Sequence, residues 1–147
     1  MLDLQSYWKE CLRSMAEEIN ITNAKTEADF TAAPVVLFNR SYLKSLFLNL
    51  LSNSLKFKSS MRSLKIKVWS FIEDEHVIII FSDNGAGIDL EKHGEKFFVL
   101  HQRFHPHIGG KGTGLCLIKA QISSFDGNIE VKSKLDKGTD FIVKLKH

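Results

Sequence analysis

Long apolar runs, cysteine, proline and strong net charge are all scarce in this sequence, and each scarcity narrows what the chain can be. No apolar run reaches the ~18 residues that a membrane-crossing helix needs, so no direct insertion into a bilayer is expected. The two cysteines, Cys11 and Cys116, lie far apart and each inside an apolar pattern. That excludes a disulfide scaffold and a Cys-x-x-Cys pair, and points to buried free thiols in a reducing compartment. With 2 prolines and 9 glycines in 147 residues, the chain is neither collagen-like nor low-complexity. The net charge is only +3, and no basic block is interleaved with aromatics. That balance suits an anionic ligand and makes no case for nucleic acid. Met1-Leu2-Asp3 lacks the basic-then-apolar start of a signal peptide. A cytoplasmic chain, or the cytosolic fragment of something larger, is expected.

What is present is an ordinary globular composition, 44% hydrophobic and 25% charged, long enough to bury a core. Asp3 can cap a first helix in which Leu4, Trp8, Cys11, Leu12, Met15 and Ile19 recur at helical spacing. A strand is expected within residues 21 to 30, then a break at Thr31-Ala32-Ala33-Pro34 and a short apolar piece from Val35 to Phe38. Asn39 is a good N-cap for a long helix ending near Phe57 or Lys58. Leu64, Ile66 and Val68 alternate with Lys65, Lys67 and Trp69, a half-buried strand, and the more apolar run Val77 to Phe81 pairs with it across Glu73-Asp74-Glu75. A short helix is expected around residues 90 to 98. Gly109-Gly110-Lys111-Gly112-Thr113-Gly114 opens a further helix containing Leu117, Ile118, Ile122 and Phe125, stopped by Asp126-Gly127. Two more strands, Ile129 to Ser133 and Asp140 to Leu145, flank the turn Asp136-Lys137-Gly138, with Lys132, Lys134, Lys144 and Lys146 on a solvated face. No repeat or inner boundary interrupts the chain, so one α/β domain spanning residues 1 to 147 is expected, with hairpin strands and helices on one face.

Three stretches have the look of a site. In the long helix, Asn49, Asn53 and Lys56 fall at i, i+4 and i+7, placing two carboxamides and an ammonium on one stripe beside the apolar face of Leu43, Leu46, Phe47, Leu50, Leu51 and Phe57. Asp83-Asn84-Gly85-Ala86-Gly87 follows the buried strand. A carboxylate there can accept from an exocyclic amine, though the same residues also make a good turn. The glycines at 110, 112 and 114 let a backbone approach a ligand closely, and the helix behind them presents unpaired N–H groups to an anion. It is not a Walker loop, because Gly112 separates Lys111 from Thr113.

Taken together and in this order, the Asn-x-x-x-Asn-x-x-Lys-Phe helix, Asp-x-Gly-x-Gly and Gly-x-Gly-x-Gly resemble the catalytic ATP-binding domain of sensor histidine kinases. That domain belongs to the superfamily shared with gyrase-type topoisomerases, heat-shock chaperones and mismatch-repair ATPases. Phe97-Phe98-Val99-Leu100-His101-Gln102-Arg103-Phe104 resembles its phenylalanine box, and Lys137-Gly138-Thr139-Asp140-Phe141 its last glycine box.

The resemblance implies an α/β two-layer sandwich, with a mixed, largely antiparallel sheet, about three helices on one face and a mobile lid from roughly 89 to 110. It implies ATP and Mg²⁺ as cofactors. Asn53 would ligate the metal, Asn49 would sit near the phosphates, and Lys56 would pair with a phosphate. Phe57 would flank the nucleoside and Asp83 would accept from the adenine amino group. Gly85, Gly87 and Ile88 would make room for the base, and Thr139 would lie beside it. Gly110, Gly112, Thr113, Gly114 and Leu115 would line the phosphate side, with Arg103 reaching the γ-phosphate from the lid. The implied reaction moves the γ-phosphoryl group to a histidine on a separate dimerisation hairpin and then to a response regulator. The hydrolytic relatives carry glutamate where Asn49 stands, and a carboxamide cannot serve as a general base for water.

None of the six histidines lies in the family's acceptor context, so the hairpin is expected outside this chain, in a parent kinase that includes a membrane-bound sensor among its forms. His101, His105 and His107 read as solvated lid residues rather than a zinc site. A degenerate nucleotide-binding interaction module and an anti-sigma-type protein-serine kinase share the nucleotide boxes and remain alternatives.

Overall fold

Asp3 and Asn39 start the two principal helices by the same device. In the computed structural model, which describes residues 1–88 and 113–147, the Asp3 carboxylate accepts from the Ser6 N–H at the start of α1 (Leu4–Ser14), and Asn39 Oδ1 accepts from the Tyr42 N–H at 3.1 Å at the start of α3 (Arg40–Lys56). Each cap satisfies a donor that the helix cannot pair internally.

The first helix ends sooner than its apolar spacing predicts. Met15 leaves helical geometry at φ −110°, and a second helix, α2 (Ala16–Thr22), carries Ile19 onward with no buried residue of its own. Ser14 Oγ turns back onto the Glu10 carbonyl one turn earlier, a bond that weakens and bends helices. With α4 (Thr113–Ser123), the described residues hold four helices rather than about three.

The main sheet runs in the order β2 (Lys25–Asp29), β4 (Lys65–Glu73), β5 (His76–Asp83), β7 (Gly138–Lys146), β6 (Asn128–Lys134). Three of its ladders are antiparallel, and β2 joins β4 in parallel. The expected mixed, largely antiparallel sheet is therefore present. A small ladder between β1 (Leu2–Asp3) and β3 (Val35–Val36) closes the start of the chain, and it was not anticipated. The short helix expected near residues 90 to 98 and the lid lie outside the described residues.

One face of the sheet is buried under the helices. Ile66, Val68, Val77, Ile79, Phe81, Phe141, Val143 and Leu145 meet Leu43, Leu46, Phe47, Leu50 and Leu51 of α3, with Leu4 and Trp8 of α1 and Leu115, Ile118 and Ile122 of α4. Trp8 is the hinge of this core, edge-on to Phe47 at 5.5 Å and to Phe81 at 5.8 Å, so it joins both layers. Leu117 of α4 is 51% exposed, because the buried stripe follows 115, 118 and 122 at helical spacing and position 117 falls off it. Cys116 is likewise half-buried, whereas Cys11 is buried as expected.

Candidate functional site

β5 ends at Asp83, and the alternation of the strand turns its carboxylate toward the helical layer while Ser82 faces the opposite side. There Asp83 Oδ2 accepts from Ser54 Oγ at 2.7 Å, and Oδ1 accepts from the Gly85 N–H at 2.9 Å. Thr139, its partner in the β5–β7 register, gives a further backbone N–H. Burial lifts the Asp83 carboxyl above the usual carboxylate range by removing water from the charged form. The three donors pull it back down, and neighbouring Asp140 pushes it up a little more.

The turn after Asp83 is held by backbone contacts to two other elements. Ala86 N–H donates to the Phe57 carbonyl at 2.8 Å, just past the end of α3, and the Ala86 carbonyl accepts from Asp136 N–H at 2.7 Å in the β6–β7 turn. Gly87 sits at φ +73°, where an added Cβ would overlap the Lys134 carbonyl, so both conformation and space require glycine. Ile88 N–H donates to Ser133 Oγ at 2.8 Å, and that hydroxyl lies 2.8 Å from Thr139 Oγ1. Ile88 and Thr139 are both buried.

α3 and α4 bring the second half of the site together. Asn49 Nδ2 donates back to the Ser45 carbonyl at 2.7 Å, with Ser45 Oγ at 3.1 Å, which fixes the carboxamide with Oδ1 against Gly114. A Cβ on Gly114 would run into that oxygen, so the glycine is what lets α4 begin this close to α3. One turn on, half-buried Asn53 and exposed Lys56 carry no side-chain hydrogen bond or ion pair among the described residues. Their polar ends are open on the same stripe.

Of the residues singled out by sequence, Asn49, Asn53, Lys56, Phe57, Asp83, Gly85, Gly87, Ile88, Gly114, Leu115 and Thr139 lie in the described parts. Leu115 packs into the core at the start of α4. Thr113 begins α4. Arg103, Gly110 and Gly112 lie outside the described residues.

Two side chains that shape the site gave little signal. Ser54 lies off the Asn49, Asn53 and Lys56 stripe, yet it is 3% exposed and donates to the central carboxylate. Arg62 reads as part of a polar connector. Its guanidinium instead donates to the carbonyls of Asn84 (2.7 Å), Gly85 (2.8 Å) and Asp136 (2.7 Å), stitching the Asp83 turn to the β6–β7 turn. An arginine with no acidic neighbour in sequence is hard to recognise as a clamp on carbonyls.

Among the described residues no three His, Cys, Asp or Glu side chains cluster as a metal cage. The Asn53 carboxamide offers a neutral oxygen, a donor type that suits Mg²⁺, which keeps much of its shell as water.

Residues 39–147 match the family model described as histidine kinase-, DNA gyrase B-, and HSP90-like ATPase. The sensor protein RprX of Bacteroides fragilis is 28% identical over 98% of this chain, and the phytochrome-like protein Cph1 of Synechocystis is 31% identical over 95% of it. The chain spans only 28% and 18% of the length of those two relatives. Among solved structures, the catalytic domain of histidine kinase ThkA superposes with a TM-score of 0.81 at 22% identity, over 97% of this chain and 93% of that one. The mycobacterial sensor histidine kinase MprB gives 0.81 at 20% identity, over 98% and 95%. At such identities the two structures speak for the fold.

Proposed function

Since the chain belongs to the family of histidine kinase-, DNA gyrase B-, and HSP90-like ATPases, we propose that it is the ATP-binding catalytic unit of a sensor histidine kinase. It would transfer the γ-phosphoryl group of ATP to a histidine on a dimerisation hairpin elsewhere in the parent protein, and a response regulator would take the group from there. The observation that carries the reading is the half-buried Asp83 carboxylate, held at a strand end by Ser54 and Gly85 and facing the helix whose outer stripe is Asn49, Asn53 and Lys56.

Asp83 accepts from the exocyclic amino group of adenine, and its fixed orientation means that little side-chain entropy is lost on binding. Gly85, Gly87, Ile88, Thr139 and Phe57 surround the base. Asn49, Asn53 and Lys56 face the phosphates with Gly110, Gly112, Thr113 and Gly114, and Arg103 meets the γ-phosphate. Asn53 holds Mg²⁺ through its oxygen, and the metal, when bound, neutralises phosphate charge. The acceptor imidazole brings its own nucleophilic nitrogen, so these residues orient and neutralise rather than move a proton. Asn49 fits that division of labour. Its amide nitrogen is engaged by Ser45, and its oxygen cannot be a base for attacking water.

A nucleotide analogue titrated into the wild type and Asp83→Asn tests the site. The substitution removes the charge and replaces one of the two acceptor oxygens with an NH2 donor, and affinity should fall by more than about tenfold, the loss expected when a hydrogen bond to a charged group is removed. Equal affinities would remove adenine from the reading. Incubation of the wild type with γ-labelled ATP and a supplied acceptor hairpin then tests the transfer, with label on the hairpin as the expected result.

A further inference from the structure

On the sheet face turned away from the helices, the structure holds an open basin of about 720 Å³ that the nucleotide site does not use. Its rim carries Lys25 of β2, Lys65 and Lys67 of β4, Lys132 and Lys134 of β6, and Lys137 of the β6–β7 turn, all exposed. Ser82 and Asp140, joined by a hydrogen bond, mark its floor, and Glu27 stands at one side. Asp83 reaches the basin only from the strand end, since its carboxylate is committed to Ser54 on the other face.

The charges here are not balanced by the fold. Among the described residues none of the six lysines forms an ion pair; the two that exist, Lys44–Glu10 and Lys146–Asp126, lie elsewhere. Lys25 and Lys65 are direct cross-strand partners, an arrangement of like charges that weakens a sheet. Lys67 lies over the Trp69 ring at 5.5 Å and acts through space on the Asp29 carboxylate of β2, without forming an ion pair with it. Six ammonium groups against the three lining carboxylates of Glu27, Asp83 and Asp140 leave a net positive, concave field that favours an anion and raises its local concentration.

We infer that this basin is a docking surface for an acidic segment of a partner protein. The lysine-only rim distinguishes that occupant from a discrete phosphate group. Tight phosphate recognition favours planar, bidentate arginine forks or convergent backbone N–H groups, whereas dispersed ammonium point charges on flexible stems fit carboxylates spread along a peptide. Glu27 and Asp140 would repel a compact polyphosphate, while a peptide that carries an occasional base can pair with them. Such contacts set encounter rate and partner choice more than affinity, and they weaken as salt screens them. The six lysines are not among the residues assigned to the nucleotide, and the two sites meet only at the strand end, where Asp83 borders both.

Fluorescence anisotropy with a labelled oligoglutamate at low ionic strength tests it. The wild-type chain should bind saturably, and the Lys65→Glu/Lys132→Glu variant at least tenfold more weakly. Lys9→Glu/Arg40→Glu, the same charge change on the helical side, should leave binding within twofold. Equal losses in the two variants would reduce the effect to net charge and overturn the inference. So would an absence of saturable binding, or tighter binding of tripolyphosphate or an oligothymidylate than of the oligoglutamate at matched ionic strength. A second readout needs no ligand: Lys65→Gln removes the opposition to Lys25 and should raise Tm while weakening the peptide, and a lowered Tm would also overturn it.

Discussion

Asp83 is a charge placed where solvation is poor, and its neighbours decide how much that matters. Because burial raises its folded-state pKa above the unfolded value, the protonated form favours the folded state. Its stabilising contribution is complete below the unfolded pKa and is lost as pH rises through the raised folded value. Nucleotide binding as proposed would run the other way, since the ionised carboxylate is the better acceptor for an amine.

Ser54 works against burial by donating to the ionised form. Ser54→Ala should therefore push the Asp83 pKa further up. The acid-side fall of nucleotide-analogue affinity should move to higher pH, measured by calorimetric titration across the weakly acidic range. At neutral pH the fold should lose about 1.5–3 kcal/mol of stability, the usual worth of a hydrogen bond to a charged group. A profile that coincides with the wild type would show that Ser54 only fills space. Cys11 follows the same electrostatics without any function attached. Burial lifts its thiol to about 12, so it stays protonated and behaves as a small apolar side chain.

At the scale of elements, the site depends on how closely α4 can start beside α3. Asn49 cannot step aside freely, because its amide nitrogen is engaged by Ser45. Gly114→Ala should cost about 1–3 kcal/mol of stability, the range for an added methyl in a filled space, and should weaken nucleotide binding with it. Gly114→Ala combined with Asn49→Ala removes the obstacle and should recover most of the lost stability but not the binding. Chemical denaturation of the two single variants and the double variant checks this. Additive losses would mean that the two residues do not touch in solution. The termination of α1 at Met15 belongs to the same scale. The apolar spacing continues to Ile19, but a local hydroxyl–carbonyl bond from Ser14 coincides with the break.

For the whole molecule, Trp8 ties the helical layer to the sheet through its edge-on contacts with Phe47 and Phe81. Trp8→Ala should cost about 3–5 kcal/mol, a large fraction of a domain's total stability. Thermal unfolding should show this as a large fall in Tm, and a fall of only a degree or two would mean that the cavity refills by collapse. The loss should reach nucleotide binding as well, because α3 and β5 supply both halves of the site and meet each other through this core.

The elements and their faces were largely legible along the chain because they rest on short-range causes. Side-chain period decided which side of α3 and β4 is apolar, and Asp3 and Asn39 announced their helices through a hydrogen bond spanning three residues. The stripe of Asn49, Asn53 and Lys56 was visible for the same reason, and so was the glycine requirement after Asp83. What only the tertiary structure decided are the long-range meetings: the parallel pairing of β2 with β4, and the β2-β4-β5-β7-β6 order. The donation of Ser54 to Asp83 and the clamp of Arg62 on carbonyls up to 74 positions away are of the same kind. So is the gathering of lysines from β2, β4 and β6 around one basin, where sequence alone showed only alternating surface charge. A period of two or 3.6 residues specifies which way a side chain points from its own backbone. It carries no information about which distant backbone will stand opposite, and that is settled when the apolar faces close on one another.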